Sequence, residues 1–231
     1  MKLSKPATDD HRVRVAAAKR AKMRSHLVDV AVRLIADEGP GSVSIDRLID
    51  AAGVARGTFY NYFATPAELM QAVGLELTEG LISTVDLIVK QHDDPAERVS
   101  TGMRAILACA RGSPVLAAII MQSGWPVAAP EHALYRLVAR DVTLGLKSGR
   151  FRSMPHSVAM ALVGGLAVGV MPAFADGSTR PDVDEQVAET MLLGLGLTAK
   201  DAAKLARVPF EPVRPDGTGL LARLLSSAVD D

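Results

Sequence analysis

The chain has 231 residues, 48% of them hydrophobic and only 4% aromatic, with 26 basic side chains against 26 acidic ones. Ala, Leu, Val and Met must therefore build the core, which suits packed helices and excludes a sandwich of aromatic and β-branched strands. A single cysteine, Cys109, excludes an internal disulfide and a cysteine-based zinc site.

The length allows one large domain, or a small domain joined to a larger one. Charge is unevenly spread: residues 1–63 hold 11 Lys/Arg and 7 Asp/Glu, a net of +4, leaving 15 and 19, a net of −4, for the rest. From His11 to Val28 there are six basic residues and no acid. Such a balance points to a polyanion-facing N-terminal part on an acidic body. No opening segment reads as a secretory signal, and the lone cysteine fits a reducing cytosol, so a cytoplasmic location is expected. Residues 1–18, polar with Pro6 and Thr8, are expected to form a flexible basic arm.

A helical period begins near Lys19, with Met23, Leu27, Val30, Ala31, Leu34 and Ile35 on one face, and Gly39-Pro40-Gly41 ends it. Ser44 can cap a second helix whose apolar face is Ile45, Leu48, Ile49 and Ala52. Gly53 supplies a turn, and a third helix is predicted from Ala55 to about Phe63. Thr65-Pro66-Ala67-Glu68 then opens a long fourth helix as a capping box with proline at its first position. Further helices are predicted at 95–111, 114–122, 131–148, 155–174 and 182–197, with a short one after Thr198 and an apolar turn at 220–228. No alternating strand and no repeat is present. The fold class is all-α, divided into an arm (1–18), a helix-turn-helix domain (19–64), a larger helical domain (65–212) and a C-terminal tail (213–231).

The third helix carries the chemistry. Phe59 and Phe63 are four residues apart and can pack inward with Val54, leaving Arg56, Tyr60 and Asn61 on the opposite surface and Thr58 and Tyr62 along one flank. Gly57 permits close approach of a phosphate or base edge. Arginine can make two bonds to a guanine edge and asparagine two to an adenine edge, and threonine suits a thymine methyl. Tyrosine hydroxyls bond phosphates, which set register without reading sequence. Arg56 and Asn61 are thus assigned to bases, Tyr60 and Tyr62 to phosphates, and Thr58 to either. Two short amphipathic helices also occur in proteins with no DNA role, but two tyrosines beside Arg and Asn are poor choices for solubility alone.

Residues from about Lys19 to Val73 resemble the N-terminal DNA-binding domain of the TetR family of transcriptional repressors. The resemblance rests on the helix ending at Glu38-Gly39, the helix starting at Ser44, Ala51-Ala52-Gly53-Val54, and Arg56 through Phe63. It implies an all-α homodimer that binds double-stranded DNA through a helix-turn-helix, with a larger C-terminal domain that takes a small ligand and then releases DNA. Two positions depart from the family pattern. Ala55 stands where Ser or Thr is frequent, leaving the third helix without a side-chain cap, at a cost of about 1 kcal/mol. Pro66 stands where a phosphate-binding Lys is common, so Arg20 and Arg24 become the candidates for backbone contact.

In the C-terminal body, Ser157–Ala175 contains no charge and is long enough to span a membrane. Its small residues Ala161, Gly165 and Gly169 recur every four positions, a face on which another helix packs closely. The resemblance favours a homodimer interface here over a membrane helix. It also implies a pocket for a small, largely apolar ligand, with Met103, Leu107, Ile120, Met121, Trp125 and Tyr135 as candidate lining residues. Isolated His92, His132 and His156 offer no metal-ligand spacing, and no cofactor is expected. No phosphate loop, GxSxG elbow, HExxH or dinucleotide glycine pattern points to an enzyme. A ligand-responsive repressor on a (pseudo)palindromic operator is the expected function. A constitutive regulator without effector and a membrane-attached regulator are the alternatives.

Overall fold

The computed structural model describes residues 7–38, 43–123, 133–211 and 220–227, and among them every regular element is an α-helix. The chain forms two compact units, 1–73 and 74–231. The first contains α1 (Ala7–Glu38), α2 (Ile45–Ala52), α3 (Arg56–Tyr60) and the start of α4 (Pro66–Val89). The division falls within α4, nine residues beyond the expected boundary at 64/65.

The first unit closes around a small core. Leu27, Val28, Ala31 and Ile35 of α1 meet Leu48 of α2 and Phe59 and Phe63 of the α3 region, all essentially inaccessible to water. Ser44 caps α2, its side chain accepting from the Arg47 amide at 3.3 Å. Gly53 ends it at φ +65°, a left-handed conformation that costs glycine nothing. Ala55 indeed leaves α3 without a side-chain cap. That helix is shorter than expected: after Tyr60 the chain continues as a turn in which Tyr62 and Phe63 amides donate to the Phe59 carbonyl. At the start of α4 the Thr65 hydroxyl accepts from the Glu68 amide at 3.1 Å, while Glu68 reaches back to the Ala64 amide at 2.6 Å. The reciprocal bond of the capping box therefore lands one residue early.

The expectation of a flexible arm over residues 1–18 is corrected for residues 7–18, which are helical. Asp9 and Asp10 fall in the first turn, where negative charge suits the helix N-terminus, and Ala16-Ala17-Ala18 are the strongest helix formers. Residues 1–6 lie outside the described residues, as do Gly39-Pro40-Gly41.

The second unit is built on α5 (Pro95–Gly112), which packs against α6 (Pro114–Ser123), α7 (Ala133–Lys147), α8 (His156–Ala175), α9 (Val183–Gly194) and α10 (Ala199–Leu205). α11 (Leu220–Ser227) buries Leu221, Ala222 and Leu224. Arg104 of α5 is buried, donates to the Val208 carbonyl at 2.6 Å and stacks on Phe210 at 5.0 Å, tying α5 to the segment after α10. Gly145 is dictated by packing: a β-carbon there would lie 2.1 Å from the Phe151 ring. Cys109 is buried on α5, and burial pushes its thiol up to about 12.

Candidate functional site

In the first unit the residues singled out on the third helix share one accessible surface. Arg56, Gly57, Tyr60 and Asn61 are exposed, and Thr58 and Tyr62 are half-buried beside them, because Phe59 and Phe63 take the inward positions. The Phe59 ring meets Tyr60 edge-on at 5.3 Å and Phe63 at 6.0 Å, fixing the helix against its core. Arg56 is not a bare cation: its guanidinium pairs with Asp46 of α2, both side chains being more than half exposed. Arg20 donates to the Asn61 carbonyl at 3.2 Å and lies 5.7 Å from the Tyr62 ring centre, while Arg24 stands 5.1 Å over Phe63. These two arginines pin α1 to the C-terminal end of the third helix and still present charge to solvent, since both are exposed. Ser44, the α2 cap, is exposed on the neighbouring helix.

The second unit holds a cavity bounded by α4, α5, α7 and α8. Its walls include Ile82, Val85, Met103, Leu134, Leu137 and Val163, and about 60 Å³ is open to the centre of a water-sized sphere. At on the order of 10–15 Å³ per water, that is space for about four to six waters or one small organic molecule. Four charged residues close one side: Asp86, Arg98, Arg140 and Asp141. Arg140 grips Asp141 through two bonds of 2.9 and 2.8 Å and reaches Asp86 at 3.2 Å; Arg98 lies 3.4 Å from Asp141. Burial pushes the Asp86 carboxyl up, but hydrogen bonds from Lys90 and Arg140 outweigh it and hold it below its ordinary value. The bond to Asp141 holds Arg140 above its own. Arg98 Nε is buried with no hydrogen-bond acceptor among the described residues. Arg98 also borders the cavity, and a buried donor without a partner close to a cavity is suited to an acceptor brought by a ligand.

Of the expected lining residues that are described, Met103 borders this cavity and Leu107, Ile120, Met121 and Tyr135 do not. Leu107 and Ile120 are buried elsewhere in the core, Met121 is 44% exposed and Tyr135 is half-buried outside the lining. The difference has a physical reason: a buried apolar side chain in a helical body is far more often packed than adjacent to space. Trp125 and His132 lie outside the described residues. Sequence reasoning misses the charged quartet because charges on helices normally mark solvated faces. One signal is available: Asp86 falls on the same face of α4 as Ile82, Val85 and Val89.

On α8, Ala161, Gly165 and Gly169 are all exposed, and nothing lies within 4 Å of a β-carbon built on either glycine. Val158 and Val168 of the same helix and Leu193 of α9 are also exposed. Among the described residues α8 is the one single helix long and apolar enough to cross a membrane, and 39% of its most apolar stretch is buried. No group of three metal-ligating side chains occurs among the described residues.

Comparison with known proteins covers both units. Residues 27–73 match the family of bacterial regulatory proteins, tetR family, and residues 94–208 match the tetracyclin repressor-like C-terminal domain. An uncharacterized HTH-type transcriptional regulator of Mycobacterium tuberculosis is 29% identical over 103 residues, 44% of this chain and 51% of that protein. The regulator AcrR of Shigella flexneri is 38% identical over 64 residues, 28% of this chain and 29% of its own length. This chain thus spans about half or less of the length of these curated relatives. The crystal structure of RolR in complex with resorcinol superposes with a TM-score of 0.74 at 27% identity, covering 85% of this chain and 99% of that one. A helix-turn-helix head matched over its core and a helical body matched from α5 to the end of α10 leave one assignment: the chain belongs to the TetR family of transcriptional regulators.

Proposed function

We propose that this protein is a ligand-responsive transcriptional repressor that binds a (pseudo)palindromic operator as a homodimer and leaves it when a small molecule fills the cavity of the second unit. The observation that carries the proposal is the cavity itself, apolar on most sides, with the unpartnered Nε of Arg98 beside the Arg140–Asp141 pair. A single-ring molecule bearing a hydroxyl or carbonyl oxygen matches its size and its free donor. The likeness to RolR, whose structure contains resorcinol, supports a hydroxylated aromatic effector. Arg56, Thr58 and Asn61 then read bases, Tyr60, Tyr62, Arg20 and Arg24 hold phosphates, and Ser44 and Gly57 bring the backbone to the DNA. The exposed Ala161, Gly165 and Gly169 of α8 form the dimer face.

Two recognition helices must enter successive major grooves about 34–36 Å apart. A ligand that binds better to a differently spaced dimer shifts the population away from DNA. α4 is the natural lever, because its later turns supply Ile82, Val85, Asp86 and Val89 to the cavity wall while its first turns belong to the DNA-binding unit.

The test has two readouts. Retardation of DNA from the gene's own promoter region is expected for the wild type and lost in the Arg56→Ala/Tyr60→Ala variant; equal binding by both overturns the recognition-helix assignment. A thermal-shift screen of hydroxylated single-ring aromatics, resorcinol first, is expected to find a stabilising compound that also releases the DNA. DNA binding that no such compound relieves favours the constitutive reading. Inserting two residues near Gly80 is expected to keep DNA binding and abolish release.

A further inference from the structure

We infer that the first four turns of α1 form a basic rod that grips the phosphate backbone of DNA flanking the operator half-site. The inference rests on the DNA-binding reading of the head and extends it beyond the recognition helix. α1 begins at Ala7, yet its first fully buried residue is Leu27, and every residue from His11 to Lys22 is exposed. Ala7 to Lys22 is 16 residues, a helical length of about 24 Å. That equals the axial length of roughly seven base pairs, along which B-DNA carries a phosphate every ~1.7 Å.

Lys19 and Lys22 have no carboxylate partner among the described residues, and no acidic residue occurs between His11 and Val28. At 100° per residue Arg12, Arg14, Lys19 and Lys22 lie on one side of the helix and exposed Arg20 and Arg24 on the other, with Val13 and Val15 between them exposed at 63% and 41%. No apolar stripe is left for a bilayer or a partner helix, both of which need one. A helix that is cationic all round suits a polyanion whose charges lie along its length. Its position matches. Arg20 and Arg24 fasten α1 beside Asn61, Tyr62 and Phe63, so the free turns continue outward from the end of the recognition helix. The basic surface is therefore continuous with the residues assigned to phosphates.

The probe is a duplex recovered by selection from random DNA, used in two forms: trimmed to the selected symmetric site, and extended by eight base pairs of unrelated sequence on each side. Affinity is measured by fluorescence anisotropy across a salt series, with the full chain. Wild type is expected to bind the extended duplex on the order of tenfold more tightly than the trimmed one near physiological salt. The Arg12→Gln/Arg14→Gln/Lys19→Gln variant is expected to lose that preference, with its log–log salt slope on the extended duplex shallower by about 0.9 for each phosphate it no longer neutralises. Arg12→Lys/Arg14→Lys, which keeps charge, is expected to behave as wild type. Indifference of wild type to the flanks, or an unchanged slope in the glutamine variant, overturns the rod. Absence of binding to both duplexes by wild type overturns the DNA-binding reading itself, a separate and recognisable failure.

Discussion

Two arginine–aspartate pairs make the contrast between the units plain. In the DNA-binding unit Arg56 pairs with Asp46 where both side chains are more than half exposed. In the second unit Arg140 pairs with Asp141 beside the cavity, and Asp141 is 4% exposed. The same chemistry has opposite uses. The exposed pair is screened by water, so it can open at little cost, as the base contact proposed for Arg56 requires. The second pair cannot be opened cheaply, because Asp141, 6% exposed in its side chain, would be left as a desolvated charge. A reading head needs exchangeable partners; a ligand pocket needs fixed ones.

The contrast can be broken at three sites of decreasing burial, each measured by thermal or denaturant unfolding. Asp141→Ala leaves Arg98 without its carboxylate and Arg140 with Asp86 alone, and is expected to cost about 3 kcal/mol. A loss below about 1 kcal/mol would mean that water already reaches the pair. Asp94 is intermediate. It caps α5, accepting from the Ala96 amide at 2.9 Å, and pairs with Arg150 at 2.8 Å with both side chains about a third exposed. Asp94→Ala is expected to cost about 1–2 kcal/mol, mostly the cap, since solvent screens the ion pair. Burial pushes Asp94 up, but the bonds from Arg150 and the Ala96 amide prevail and its carboxyl sits below the ordinary 3.8. The stabilisation it contributes is thus fully present above pH 3.8 and is lost as pH falls through the lower folded value. The gap between wild type and variant should close on acidification below that point, and a gap that widens there contradicts the assignment. Asp46→Asn, at the exposed end, is expected to change stability by less than about 0.5 kcal/mol. Its effect should instead appear as altered base preference at the position read by Arg56, measured by selection from random DNA.

Much of the head is legible in the sequence because its features are local. Ser44 before an apolar period, Gly53 after it, and Phe59 and Phe63 four apart each report on residues within one turn, and the structure has them as expected. The helices of the second unit are legible for the same reason: Pro95, Pro114 and the break before His156 mark starts within one or two residues of α5, α6 and α8. What cannot be read depends on distant partners. The cavity arises where α4, α5, α7 and α8 fail to fill the space between them, and no periodicity within one helix reports a gap among four. The pairing of Asp86 with Arg140 spans 54 residues and that of Asp94 with Arg150 spans 56. The helical start of α1 escapes a reading that weighs its charge more heavily than the propensity of its alanines.

The buried cysteine has a practical consequence. With its thiol pushed up to about 12 and enclosed in α5, Cys109 carries almost no thiolate at neutral pH and offers no approach to a maleimide. The native chain is therefore close to a cysteine-free background for labelling. A thiol introduced at exposed Lys19 or Leu193 would accept a spin label or fluorophore alone. Distances between two such labels in the proposed dimer could then follow the spacing of the heads as a candidate effector is added, without altering any other residue of the protein.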